Sequence, residues 1–175
     1  MATMSTDKAI AALRGDDPEA RRKSIEELVR AADESVVRAL LRHLHDTSWT
    51  FRDRLVSVLV EIGPDAVPPL RSAAADGLWY VRAAAAEALA RIEDADASGV
   101  LIGLLGDRAL GVRQAAGEGL ARILNEDRLE VLAERVAPLG RDNLAPFLRV
   151  LRQEREPLYA RLISLRPELG PGSGP

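Results

Sequence analysis

The feature that most constrains this chain is a repeat of 30 or 31 residues that occurs four times. Sliding residues 76–92 onto residues 107–123 gives identity at 10 of 17 positions. In every unit an aspartate stands six residues before an arginine, which gives the pairs Asp16/Arg22, Asp46/Arg52, Asp76/Arg82 and Asp107/Arg113. A repeat of this length indicates stacked supersecondary units, because one such unit buries its apolar face only against its neighbours.

Each unit contains two apolar stripes at helical spacing. In the second unit one stripe runs from Phe51 through Leu55 to Ile62, and Gly63 and Pro64 then interrupt it. A second apolar stripe begins shortly after Pro64. Alanine and leucine together supply 54 of the 175 residues, and both are strong helix formers. The sequence therefore predicts an all-α fold with two helices in each unit.

Three segments carry a family resemblance: VRAAAAEALARI (81–92), VRQAAGEGLARI (112–123) and EIGPDAVPPL (61–70). They resemble short HEAT-like repeats, of the kind named after phycobilisome lyase subunits and found in bacterial scaffold proteins. The resemblance covers about residues 16–136. It implies a right-handed α-solenoid, or α-α superhelix, of about four HEAT-like helical hairpins with helical caps.

We expect a single domain over residues 1–166. Its parts are a cap helix at 5–14, units at 16–45, 46–75, 76–106 and 107–136, and C-terminal cap helices at 143–165. The glycine- and proline-rich residues 167–175 have the composition of a flexible tail.

Composition excludes several kinds of site. Cysteine is absent and there are two histidines, which excludes disulfides, thiolate catalysis and multi-histidine metal sites. No phosphate-binding loop or hydrolase motif is present, so we expect no enzyme activity, no catalytic residues and no cofactor. The 24 basic and 27 acidic residues favour neither nucleic acid nor a membrane as partner, and we expect a cytoplasmic location.

The recurring aspartates and arginines are interpreted as structural. We expect each aspartate to accept backbone N–H groups in the turn between units, and each arginine to bridge neighbouring units. Binding specificity normally lies in what differs between units, so a feature present in every unit favours packing.

Three aromatic residues open the first helix of units two and three: Trp49, Trp79 and Tyr80. Trp and Tyr are enriched at protein interfaces, but tryptophan also covers the seam between units in the resembling family. Both interpretations stay open from the sequence.

A basic stripe lies on the second helix of unit one, at Arg38, Arg42 and His45, and Arg71 extends it. In the resembling family this helix lines the concave face. The stripe is either a site for an acidic peptide or phosphate, or a solvated surface.

An apolar strip occupies the corresponding helix of unit three, at Leu101, Ile102 and Leu105. A contiguous strip of this kind is either an interaction site or is covered by the C-terminal helices.

Two glycines replace alanines inside a helix of unit four. Gly119 falls on an inward row, where it allows close approach of a neighbouring helix. The position of Gly117 holds both polar and apolar residues in the other units, which indicates the flank of the helix. We therefore expect room for a methyl group there and a stabilising effect of Gly117→Ala.

The function that these features favour is a non-catalytic scaffold or adaptor that binds another protein or peptide. The family name suggests an alternative, a bilin-lyase-type or chaperone-like accessory subunit. A HEAT-like DNA glycosylase is disfavoured, because the middle of the chain is neutral to acidic and has few aromatic residues.

Overall fold

The computed structural model describes residues 5–92 and 97–171, and these contain α-helices, short 3₁₀ turns and no strand. The helices are α1 (Thr6–Ala12), α2 (Pro18–Arg30), α3 (Glu34–His43), α4 (Trp49–Ile62), α5 (Val67–Ala73), α6 (Trp79–Ile92), α7 (Ala97–Leu104), α8 (Leu110–Ile123), α9 (Leu129–Val136), α10 (Arg141–Glu154) and α11 (Glu156–Leu165).

The helices form two layers. The even-numbered helices pack side by side in chain order, each on the next, from α2 to α10. The odd-numbered helices do the same from α1 to α11. The core lies between the layers and includes the fully buried Phe51, Leu89 and Phe147. This arrangement is an α-solenoid, as the repeat predicts.

Local signals explain where the helices begin and end. The Ser48 side chain accepts the amide of Phe51 at the start of α4, and Asp33 accepts that of Val36 in α3. Gly63 ends α4 with a φ of 76°, a backbone conformation that side chains disfavour. Pro68 then follows in the first turn of α5, where no amide donor is needed.

The recurring aspartate and arginine close the turn before an even-numbered helix. In units two to four the aspartate Oδ1 accepts the amide two residues later at 2.8 Å. The arginine Nη1 donates to the backbone carbonyl of the same aspartate at 2.6 to 2.9 Å, in Arg52, Arg82 and Arg113. The aspartates of three of the four pairs therefore accept a turn amide, as expected. The arginines hold the turn of their own unit, and a hydrogen bond to the neighbouring unit, which we expected of each, is made among the described residues by Arg82 but not by Arg113.

The first unit departs from this pattern by one residue. Asp17 rather than Asp16 accepts the helix amide, that of Glu19, and Arg21 rather than Arg22 donates to the Gly15 carbonyl. The expectation for Asp16 and Arg22 is wrong, because α2 starts one residue earlier relative to the repeat than the later helices do. Gly15 therefore takes the place of the turn aspartate, and Asp17 is the N-cap of α2, as Ser48 is of α4.

Helices α6, α8 and α10 approach one another unusually closely. A Cβ added at Gly119 would lie 2.2 Å from the Cβ of Ala90 on α6. A Cβ added at Gly117 would lie 2.9 Å from the backbone nitrogen of Phe147 on α10. Gly119 faces a neighbouring helix as expected, but the expectation of free space at Gly117 is wrong, because α10 covers that face.

The chain beyond α11 stays attached to the solenoid. Residues 167–169 form a 3₁₀ turn in which Leu169 is buried, and the Arg166 Nε donates to the Ala133 carbonyl at 3.1 Å. The expectation of a flexible tail is therefore wrong for residues 167–169. Its last part, residues 172–175, lies outside the described residues, as do residues 1–4 and 93–96.

Candidate functional site

The basic stripe of α3 lines a groove between α3 and α5, with a volume of about 620 Å³. Arg38, Arg42 and His45 contribute one wall, and α5 contributes Pro68 and Pro69 to the other. The structure thus brings together three of the four basic residues singled out in the sequence. Arg71 is exposed on α5 but does not line this α3–α5 groove.

Acidic neighbours compensate most of the positive charge in the groove. Arg38 forms an ion pair with Glu34, one helical turn away, and the His45 Nε2 lies 3.2 Å from the Asp76 Oδ2. Arg42 forms no ion pair or hydrogen bond with any residue of 5–92 or 97–171. The groove therefore carries mixed charge, with one cation that is not compensated.

A second surface follows the starts of α4, α6 and α8. The first residue of each helix is a large apolar side chain that faces solvent: Trp49 is 71% exposed, Trp79 53% and Leu110 55%. We call these three residues the tryptophan edge. Side chains of this size normally contribute to a core, so their exposure is not explained by folding.

A groove of about 310 Å³ between α4 and α6 adjoins the tryptophan edge. Tyr80 lies on its wall and seals the seam, since its hydroxyl donates to the His45 carbonyl at 3.4 Å and the Arg52 guanidinium stacks 4.7 Å from its ring centroid. Trp79 packs over Gly111 of the next unit, where a Cβ would lie 3.0 Å from the indole. Of the three aromatic residues, Tyr80 therefore belongs to the seam, Trp79 is shared, and Trp49 is mostly free.

The charge around the tryptophan edge is negative. Asp53 is exposed, lines the α4–α6 groove and has no partner among the described residues. Glu87 also lines it and is linked only loosely to Arg91, at 3.4 Å. The one arginine of the groove, Arg52, is occupied by Tyr80 and by a backbone carbonyl. The surface combines indole faces with carboxylates.

The apolar strip of α7 is part of the core. Leu101 and Leu105 are fully buried and Ile102 is 8% exposed, so of the two interpretations of this strip the interaction site is wrong. The helix that carries the strip, α7, packs mainly on α6 and α8 and not on the C-terminal helices. The reason is again a one-residue shift. Matching burial aligns them with Leu40, Leu41 and Leu44 of α3, and not with the exposed Arg42 and His45.

Arg82 joins units three and four through a buried ion pair. Its Nε and Nη2 donate to both carboxylate oxygens of Asp107 at 2.7 and 2.8 Å, and both side chains are at least nine-tenths buried. The hydrogen bond from Arg82 lowers the pKa of Asp107 below its ordinary value and raises that of Arg82. Arg14 lowers the pKa of Asp46 in the same way and so joins the segment that follows α1 to the start of unit two.

Two arginines that do not belong to the recurring pairs also join helices, and no feature of the sequence marked them. Arg54 donates to the Leu13 carbonyl at 2.6 Å, just beyond α1. Arg155 reaches three carbonyls at the end of α8, those of Ala121, Arg122 and Leu124, at 3.0 to 3.3 Å. Each occurs once in the chain, so no spacing pattern marks it.

The described residues contain neither a membrane-spanning helix nor a metal-binding cluster. No helix there is long and apolar enough to cross a membrane. In the same residues no three histidine or acidic side chains come together in a way that would hold a metal ion.

Comparisons with known proteins bear on the fold. A family model described as HEAT repeats matches the chain twice, over residues 6–78 and 67–138, which together span more than half of it. Among solved structures, the crystal structure of an engineered protein aligns with 93% of this chain and 78% of its own, at 18% identity and a TM-score of 0.40. No curated protein matches the chain significantly.

Proposed function

Because this chain belongs to the HEAT-repeat family, whose repeats generally serve as protein-interaction scaffolds, we propose that it is a non-catalytic adaptor that binds another protein through the tryptophan edge. The observation that carries this proposal is the exposure of Trp49 and Trp79, which open the neighbouring even-numbered helices α4 and α6. Both tryptophans of the chain lie on this one surface.

Burial of the tryptophan edge would supply binding free energy. Each indole offers a large apolar area, and each Å² removed from water contributes about 25 cal/mol. Tryptophan is also among the residues most often found at energetic hot spots of interfaces. The even-numbered helices hold the backbone of these three residues, so little backbone ordering is needed when a partner binds.

Charge complementarity indicates the kind of partner. Asp53 and Glu87 flank the indoles, which favours a segment that carries lysine or arginine among apolar residues. A cation over an indole face gains further attraction. We infer an amphipathic, basic segment of a partner protein as the ligand of this surface.

The test uses the tryptophans as their own reporter. The full chain is titrated with an amphipathic peptide of leucine and lysine, and the tryptophan emission is followed. We expect a saturable blue shift, because the indoles leave water. Anisotropy of the labelled peptide should show an affinity at least about tenfold weaker for the Trp49→Ala/Trp79→Ala variant.

The matched control is Val131→Ala. Val131 is an exposed apolar residue on α9, 59% exposed, and is not part of the tryptophan edge. Truncation of the Val131 side chain should leave the affinity for the peptide unchanged. Equal weakening in both variants would mean nonspecific hydrophobic binding, and unchanged affinity without the tryptophans would refute the proposal.

The α3–α5 groove supports the same function through a second contact. Its free cation, Arg42, suits a carboxylate of a partner, whereas Arg38 and His45 are already paired within the chain. Charge reversal at Arg42 should therefore weaken the binding of an acidic ligand more than charge reversal at Arg38 does. Equal effects of the two reversals would show that the groove acts only through its overall charge.

A further inference from the structure

The outer face of α10 carries three arginines in one row. Arg141, Arg149 and Arg152 lie at helical spacing on the side turned away from α8. Together with Tyr159 of α11 and the docked Leu169 they line a cleft of about 500 Å³, which we call the α10 cleft. Its lining also includes the partly apolar surface of Ala145 and Leu148.

These arginines make few contacts with the rest of the described chain. All three are exposed, and none forms a hydrogen bond or ion pair with residues 5–92 or 97–171. The Arg152 guanidinium lies over the ring of Tyr159, 6.0 Å from its centroid, which is a long cation–π contact between α10 and α11. By contrast, Arg82 and Arg155 are fully engaged by carboxylates or carbonyls of the chain.

The charge of the α10 cleft is clearly positive. One carboxylate, Asp142, lines it against three guanidinium groups. This local excess contrasts with the net charge of -3 of the whole chain. Guanidinium groups bind carboxylates with two parallel hydrogen bonds, so a row of them suits a run of acidic side chains.

We propose that the α10 cleft binds an acidic segment of a protein partner. The row from Arg141 to Arg152 spans eleven helical steps, about 16 Å, which matches about five residues of extended chain. Among the residues that line the cleft, the arginines all belong to one helix, which suits a short peptide better than the long backbone of a nucleic acid. The proposal does not rest on the tryptophan edge.

The experiment uses the full chain and a fluorescein-labelled decaglutamate peptide in low-salt buffer, with anisotropy as the readout. We expect saturable binding that weakens as salt is added. The Arg149→Gln/Arg152→Gln variant should lose at least about tenfold in affinity. Both side chains are exposed and form no ion pair or hydrogen bond with the described residues, and the contact of Arg152 with Tyr159 is long, so the melting temperature should stay close to that of the wild type.

The matched control removes two charges elsewhere. Lys23 and Arg30 are exposed and unpaired on α2, in the first unit. The Lys23→Gln/Arg30→Gln variant should change the affinity less than about twofold, through the weakened general field alone. The Trp49→Ala/Trp79→Ala variant should bind decaglutamate like the wild type, which separates this site from the tryptophan edge.

Three results would overturn the proposal. The first is no saturable binding of decaglutamate at low salt. The second is an equal loss in the α2 control, which would show unspecific attraction. The third is tighter binding of a single-stranded oligonucleotide of equal charge that depends on the same arginines, which would assign the α10 cleft to nucleic acid.

Discussion

At the scale of single residues, the spacing of the even-numbered helices depends on glycines. Gly117 and Gly119 of α8 each face a neighbour at a distance that leaves no room for a methyl group. The usual gain of about 0.5–1 kcal/mol from replacing a helical glycine by alanine therefore does not apply at either position.

We expect Gly117→Ala to lower the free energy of unfolding by about 1–3 kcal/mol, because its Cβ would press on the backbone of Phe147. Gly119→Ala should lower the free energy of unfolding by at least as much, because its Cβ would lie even closer to the Cβ of Ala90. Chemical denaturation measures both.

A third glycine supplies the control. Gly103 is helical in α7, is exposed, and a Cβ there would have nothing within 4 Å. Gly103→Ala should stabilise the protein by about 0.5–1 kcal/mol. Equal stabilisation by Gly117→Ala would contradict the position of α10.

The ion pair of Arg82 and Asp107 predicts an acid-dependent stability. The pKa of Asp107 is lowered in the folded state, chiefly by the hydrogen bond from Arg82. Its contribution is present above the ordinary aspartate pKa, near 3.8, and is lost as the pH falls below that value. At neutral pH, Asp107→Asn should lower the free energy of unfolding by about 3 kcal/mol.

Denaturation at a series of pH values checks this. The difference between the wild type and Asp107→Asn should narrow as the pH drops below about 4. Asp65→Asn, at an exposed position, should show a small difference at every pH. A constant difference for Asp107→Asn would mean that its carboxylate has an unperturbed pKa.

At the scale of helices, arginines from one helix hold the end of another. Arg155 supplies donors to three carbonyls at the end of α8, which the helix itself leaves without partners. A lysine offers one ammonium and does not span the three acceptors as a guanidinium does.

We therefore expect Arg155→Lys to lower the free energy of unfolding by about 1–3 kcal/mol. Arg161→Lys is the matched control, since Arg161 makes only a long, exposed ion pair with Glu130, at 3.7 Å. Thermal unfolding compares the two variants, and similar small effects would show that Arg155 does not hold the α8 terminus.

The sequence predicted the helical hairpins and the turn contacts of units two to four, because the repeat presents these features several times. It failed where the register changes. One residue of shift turns a helix position by about 100°, which moved Leu101 from the expected surface to the core and transferred the role of Arg22 to Arg21. Spacing alone does not reveal such a shift when the surrounding residues are all apolar or all charged.

The candidate surfaces were predicted to different degrees for a related reason. The sequence singled out Trp49 and Trp79 as candidates but did not show whether they are exposed. Their exposure depends on how the next unit packs, which is a tertiary property. The arginines of the α10 cleft lie outside the repeat, so no comparison between units singled them out.

At the scale of the whole molecule, the order of contacts predicts uneven stability. Each helix packs on its neighbours in the same layer, and most also pack on a helix that is adjacent in the chain, so the ends of the solenoid are coupled only through the middle. A local defect should therefore spread over neighbouring units and fade with distance.

Leu55 of α4 and Leu151 of α10 are both fully buried and test this as a matched pair. Each leucine-to-alanine change should cost about 2–5 kcal/mol locally. In hydrogen exchange, Leu55→Ala should speed exchange mostly in α2, α4 and α6, and Leu151→Ala mostly in α8, α10 and α11. Uniform acceleration by either variant would instead show global, two-state unfolding.

The contact between Ala90 and Gly119 limits how these units can be shuffled. In the repeat alignment Gly119 corresponds to Ala88 of unit three. If unit three were copied and stacked on itself, Ala88 of the second copy would occupy the place of Gly119, and its methyl group would collide with Ala90 of the first. An array designed by duplicating unit three would need glycine at that position. The interfaces between the units therefore determine which unit can follow which.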